Sequence, residues 1–381
     1  MNSLSIGSAI GAGATSLRGP IGLAGLLATP VPRDERLIEM LAGVTPADLP
    51  KLLERLEYHR IEGLAQRAVS RLPKRAVDPW LRSALRRRSQ RYAAATLSQA
   101  LALAEVLEAL ERASVPVVVM RGVRSVEAIY GDPALRPFED HDLLVPPAEH
   151  RAARAALLRL QFEEHSWGLF RRGGVLIDLH VDPLGAHRRP SRQALFPIDV
   201  PALFGRATSG LVAGARSLIL EAEDELLLLA VHLVKHSFDR LVRIADVAYF
   251  VEAKRATLDW DILHRRAASC GVSRLLEWGL ASTGALGVEV RCADRPAGSE
   301  GRLERFLMRR VLALRPIPYT GELLSMTAAP TLCGRLHFLL DALWPAGERP
   351  EGTWRKSAAL PGRVLHLARG AGGHAVRRRR G

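Results

Sequence analysis

The chain has 381 residues, of which 48% are hydrophobic and 25% charged, an ordinary globular balance with material for a sizeable core and room for two or three domains. A total of 54 Lys and Arg against 40 Asp and Glu leaves a net charge of +14, an arginine-rich excess that suits polyanions but also follows from composition alone. Three cysteines, Cys270, Cys292 and Cys333, stand at wide spacings that argue against a disulfide framework or a cysteine zinc site and fit a reducing cytoplasm.

Residues 1–33 are dominated by Gly, Ser and Ala around a short apolar stretch, with Arg18 the only basic residue before it, so a disordered leader is expected in place of a secretory signal. Residues 34–114 read as a helical N-terminal region. Leu49, Leu52, Leu53, Leu56, Ile61, Leu64 and Val69 form an apolar stripe at helical spacing, and Pro73 ends it. Asp78 and Pro79 read as the cap and first residue of a long helix over residues 80–113, which contains no Gly or Pro. No run of about eighteen or more apolar residues occurs, so no membrane span is expected.

Residues 115–220 carry the chemistry. Val115-Pro116-Val117-Val118-Val119-Met120 reads as a buried strand leading into Arg121-Gly122, where a glycine lets the backbone approach a ligand closely. Residues 123–130 read as a helix whose first amides suit phosphate. Asp140 and Asp142 then stand at i and i+2 at the head of Leu143-Leu144-Val145, on one face of a strand. Carboxylates that close need a counter-charge, usually a hard divalent cation. A helix over residues 147–160 and a hairpin around residues 171–174 separate them from a strand, Val175-Leu176-Ile177-Asp178-Leu179-His180-Val181, that carries a third carboxylate.

Residues 221–300 read as helical, opened by Glu221, Glu223, Asp224 and Glu225 as the helix dipole favours. Residues 301–381 hold helical stretches at 303–314 and 332–344 and a disordered basic tail ending in Arg377 to Arg380. The fold class is therefore α+β, a mixed-sheet core flanked by helical N-terminal and C-terminal regions.

This order of strand, Gly122, helix, Asp140-His141-Asp142 strand, helix and Asp178 strand resembles the DNA polymerase beta-like nucleotidyltransferase superfamily, and within it a bacterial family of uncharacterised nucleotidyltransferases. The family's lysine-glycine pair is matched by Arg121-Gly122, and its "Y-G-D-P-x-x-R" stretch by Tyr130-Gly131-Asp132-Pro133-Ala134-Leu135-Arg136. Its "D-x-D-L-L-V" falls on residues 140–145 and its "D-L-H" on Asp178-Leu179-His180. His232-Leu233-Val234-Lys235-His236 and Leu241-Val242-Arg243-Ile244-Ala245-Asp246 extend the likeness, which spans roughly residues 50–290. Two departures are Arg121 in place of the commoner lysine and Val123 in place of a second small residue.

The resemblance implies a cytoplasmic enzyme that moves an NMP from an NTP, with ATP the expected donor, to an unidentified acceptor hydroxyl. Asp140, Asp142 and Asp178 would hold Mg²⁺ or Mn²⁺, and Asp178 would help deprotonate the acceptor. Arg121, Gly122 and Arg136 would contact phosphate, the bland alternative for Arg136 being a surface pair with Glu139 or Asp140. His180 and Asp182 are candidate supporting groups on the Asp178 strand. His232 and His236, at i and i+4, share a helix face that Asp246 can approach. That spacing can hold zinc, but no third ligand stands at a defined spacing, and a buried polar cluster or nucleotide contact fits better. Two rival readings are a catalytically inactive nucleotide-binding protein and a basic nucleic-acid-binding protein. The second is disfavoured by 5% aromatics and the lack of a recognised motif.

Overall fold

In the computed structural model, which describes residues 20–166, 168–184, 195–290, 301–329, 332 and 334–336, a mixed sheet is flanked by helices as the sequence predicts. Its seven strands are β1 (Val118–Val119), β2 (His141–Leu144), β3 (Glu163–Ser166), β4 (Leu169–Arg172), β5 (Val175–His180), β6 (Thr208–Val212) and β7 (Ala215–Ile219), in the order β3-β4-β5-β2-β1-β7-β6. β2 lies in the middle, parallel to β5 and antiparallel to β1. The expected hairpin is β4–β5, turning at Gly173 and Gly174.

Strand alternation sorts side chains between two cores. Val119, Leu143, Val145, Ile177 and Leu179 face one core with Phe162 and Phe170. Two helices supply its lid: the second half of α5 (Pro79–Arg112) through Leu103, Val106, Leu107 and Leu110, and α6 (His150–Arg159) through Ala153, Ala156 and Leu157. Val118, Met120 and Leu144 face the other side, against Leu203 of α7 (Val200–Arg206) and Leu228 of α8 (Ala222–Lys235). Asp142, Asp178 and His180 share the parity of Leu144, so the site lies on the α8 side.

The long helix α5 begins as predicted, with Asp78 Oδ1 accepting from the amides of Trp80 (2.8 Å) and Leu81 (3.3 Å). Its first turns, through Leu81, Ala84 and Leu85, belong to a second and larger core. By length and composition alone α5 is long and apolar enough to cross a membrane, which the sequence reading did not foresee because its apolar residues are interrupted. Its most apolar stretch is only 28% buried, with Leu103, Val106, Leu107 and Leu110 in the first core and Leu97 and Leu101 exposed.

The larger core is built by helices before and after the sheet. α3 (Leu49–His59) and α4 (Glu62–Arg71) carry the predicted stripe, divided at Arg60, whose left-handed φ of 58° ends α3. α8 runs through the centre and packs on α9 (Leu241–Lys254), α10 (Trp260–Ser269) and α11 (Ser273–Ser282). The expectation of a disordered leader to residue 33 is corrected from residue 20 onward. Residues Pro20–Ala28 form helix α1, with Leu23, Ala24, Leu26, Leu27 and Ala28 buried. A segment apolar on all sides has no helical period to read, and such a helix is stable only when enclosed. The helix Thr320–Ala328 also packs on α8 and was not legible beforehand. Cys292, Cys333, nearly all of the stretch 332–344 and the arginines from Arg377 to Arg380 lie outside the described residues.

Candidate metal centre

Parallel pairing of β2 and β5 sets Asp142 directly opposite Asp178 and Leu144 opposite His180. One ligand atom from each of Asp142, Asp178 and His180 lies within 4.8 Å of the other two. His180 Nε2 donates to Asp142 Oδ1 at 2.9 Å and lies 3.3 Å from Asp178 Oδ2. Burial alone would lower the His180 pKa, but hydrogen bonds to both carboxylates outweigh it and raise it above its ordinary value. Two carboxylates and an imidazole converging at this separation suit a divalent cation with mixed O and N ligands.

Asp142 has a second partner. Arg121, just past β1, reaches it with two arms, Nε to Oδ2 at 2.9 Å and Nη2 to Oδ1 at 2.8 Å, and both side chains are buried. The backbone bond from Met120 N–H to Asp142 O (2.9 Å) fixes the offset that makes this possible. Burial pushes the Asp142 carboxyl up, but the Arg121 guanidinium and the His180 hydrogen bond outweigh it and hold it well below the usual carboxylate range. Asp140 stands one residue before β2, half-buried and outside the three-residue group. Burial raises its pKa, and so do the charges of Asp142 and Asp178, against Arg121, which places it beside the group.

Gly122 is required by position. At φ 85° it closes so tightly that an added Cβ would lie 2.5 Å from His141 Nδ1 and 2.9 Å from Asp140 O. His141, on the opposite face from Asp142, accepts from the Val123 amide at Nδ1 (3.5 Å) and meets Gln99 Oε1 of α5 at Nε2 (3.2 Å). Burial lowers its pKa to about 4 and keeps it neutral. The amide expected to face phosphate thus faces an imidazole. His141 was not singled out from the sequence, although its place between two aspartates assigns it to the other face.

Arg136 is buried, and its arms go to Asp246 of α9, Nε to Oδ1 at 3.2 Å and Nη2 to Oδ2 at 2.8 Å. Tyr130 Oη donates to the same Oδ1 at 2.8 Å. The bland alternative for Arg136, a surface pair with Glu139 or Asp140, gives way to this buried pair, Glu139 being held by Arg60; the guanidinium expected to contact phosphate is committed to Asp246. The Asp246 carboxylate, expected to approach His232 and His236, is thus engaged by Arg136 and Tyr130. The segment before Arg136 is clamped by helices. Ser89 and Thr96 of α5 donate to the carbonyls of Ala134 (3.2 Å) and Pro133 (3.1 Å), and Gly63 of α4 passes so close that a Cβ would lie 2.2 Å from Ala134 O.

His232 and His236 meet in a tilted contact at the end of α8, ring centroids 4.3 Å apart and planes at 54°. Burial lowers both, aided for His232 by Arg121 and His236, and for His236 by Arg243 and Lys235, which bring it to about 2. Among the described residues, the buried Nδ1 of His232 has no hydrogen-bond partner. Both rings feel Arg121, and His236 feels Asp142, so this end of α8 borders the carboxylates. Lys235 and Arg243, the latter also paired with Asp239, make this end of α8 a cationic wall around two neutral imidazoles. Asp182, at the end of the Asp178 strand, caps its own turn by accepting from the Leu184 amide at 2.8 Å.

A family model described as an uncharacterised nucleotidyltransferase matches residues 45–286, from just before α3 to the turn after α11. No curated protein and no solved structure matches the chain.

Proposed function

The chain belongs to the uncharacterised nucleotidyltransferase family, and we propose that it moves an NMP from an NTP, with ATP the expected donor, to an acceptor hydroxyl. The observation that carries this reading is the register of Asp142 on Asp178 with His180 between their carboxylates. The motif order further supports membership of the DNA polymerase beta-like superfamily.

Asp142, Asp178 and His180 fit a divalent cation, Mg²⁺ or Mn²⁺, with Asp140 beside them. Such a cation, when bound, supplies charge stabilisation at the phosphate oxygens. The cationic wall of Arg121, Lys235 and Arg243 faces the triphosphate in this reading, and Gly122 lets the backbone come close. Asp178 accepts the proton of the acceptor hydroxyl. The acceptor oxygen then bonds to the α-phosphorus, the bond from that phosphorus to the bridging oxygen breaks, and pyrophosphate leaves. Arg136 serves as a positioning group through Asp246 and Tyr130.

Incubation of the protein and a cell lysate with ATP labelled at either the α- or the γ-phosphate tests this. Label from the α-position alone, lost in Asp178→Asn, is the expected result. Transfer from the γ-position would assign a kinase, and binding of ATP without any transfer would favour the inactive nucleotide-binding protein.

A further inference from the structure

We propose that Arg121 is a latch on Asp142 that makes cation binding at this site depend on a bound nucleotide. The inference rests on the nucleotidyl-transfer reading above and adds an order of events to it. The guanidinium engages both oxygens of Asp142, and His180 shares Oδ1, so a cation approaching Asp142 competes with an internal one. Arg121 and Asp142 side chains are 6% and 9% exposed, so bulk salt does little to loosen the pair.

The surroundings raise the barrier further. Lys235, Arg243 and Arg121 all press positive charge on the histidine pair at this end of α8, and a bare divalent cation would add two more charges. A triphosphate reverses the balance. It offers the guanidinium fork a new two-armed partner and neutralises the wall, freeing the Asp142 oxygens. Cation and nucleotide then strengthen one another's binding, by the same factor in both directions. An arginine suits this role better than a lysine, whose single ammonium cannot hold both carboxylate oxygens in a planar fork.

The test is Mn²⁺ binding to the full chain, followed by water-proton relaxation, with no nucleotide present. Wild type should bind Mn²⁺ weakly and Arg121→Gln about tenfold or more tightly, since an adjacent opposite charge moves a carboxylate's proton affinity by one to three powers of ten. Arg243→Gln removes a nearby charge that does not touch Asp142 and should change Mn²⁺ affinity about twofold or less, which separates the latch from a general field. Added Mn²⁺ should also raise the Tm of Arg121→Gln more than that of wild type. If Arg121→Gln does not fold, Arg121→Lys supplies the same comparison, with an intermediate gain expected. Unchanged Mn²⁺ affinity in a folded Arg121 variant, or an equal gain in Arg243→Gln, overturns the latch. No Mn²⁺ binding to wild type even with ATP would instead overturn the metal reading beneath it.

Discussion

Arg121 and Asp142, 21 positions apart, meet in a two-armed buried ion pair at 2.8 and 2.9 Å on the central strand of the sheet. Removing one partner of such a pair leaves an uncompensated buried charge. Asp142→Asn should therefore cost about 3–5 kcal/mol of stability as well as cation binding. Pairing it with Arg121→Gln should recover part of the loss, because the double variant buries no lone charge. Denaturant unfolding of the four proteins in this cycle measures the coupling, and additive losses would show that the two side chains act independently.

Asp246 serves as the counter-ion of Arg136 and the acceptor for Tyr130. Asp246→Asn should destabilise the fold by about 3–5 kcal/mol, whereas Tyr130→Phe removes one hydrogen bond among several and should cost about 1 kcal/mol. Equal losses in urea melts would mean that the carboxylate's charge matters no more than the hydroxyl.

Sequence alone located Asp142 and Asp178 as ligands, because alternation along a strand shows which side chains share a face, but it took Asp140 as the third and His180 only as a supporting group, whereas the group that converges is Asp142, Asp178 and His180. It could not show which partners arrive from elsewhere. Arg121 reaches Asp142 through the offset of β1 on β2, and Arg136 meets Asp246 from 110 positions away. Both contacts depend on packing and leave no local pattern. The same limit hid α1, whose residues are apolar on every side, and β3, whose Glu163-Glu164-His165-Ser166 sequence is too polar to read as a strand. The long helix α5 was legible because its cap and its freedom from Gly and Pro are local properties.

Burial of α1 gives a direct prediction. Leu27 is 1% exposed in the large core, so Leu27→Ala should cost about 2–5 kcal/mol, and deletion of residues 20–28 should lower Tm by many degrees. A truncated protein that melts with wild type would show that the helix contributes nothing to the core.

Five wholly or partly buried histidines make the fold sensitive to acid. Burial, before any neighbouring charge, lowers His59 and His141 to about 4, His236 to about 2, His232 well below the ordinary 6.5 and His150 below it. Below pH 6.5 the unfolded chain takes up protons that these folded rings refuse, so their contribution to stability declines as pH falls towards each folded value. His180 is raised and acts oppositely: its contribution is complete below 6.5 and is lost as pH rises through its folded value. The five lowered histidines are opposed by His180 and by the raised carboxyls of Glu62, Asp140 and Glu225, and with the histidines in the majority stability should fall on acidification below pH 6.5 by about 1.4 kcal/mol per pH unit for each net proton. Urea midpoints at pH 7, 6 and 5 check the sign, and a midpoint that stays level or rises on acidification contradicts it.

The metal centre itself is tested most directly by Mn²⁺ relaxation in the presence of ATP, comparing wild type with the Asp142→Asn/Asp178→Asn double variant once its folding has been confirmed. A protein-dependent enhancement in wild type that vanishes in the double variant is the expected result. An enhancement of equal size in both proteins would show that these carboxylates do not hold the cation.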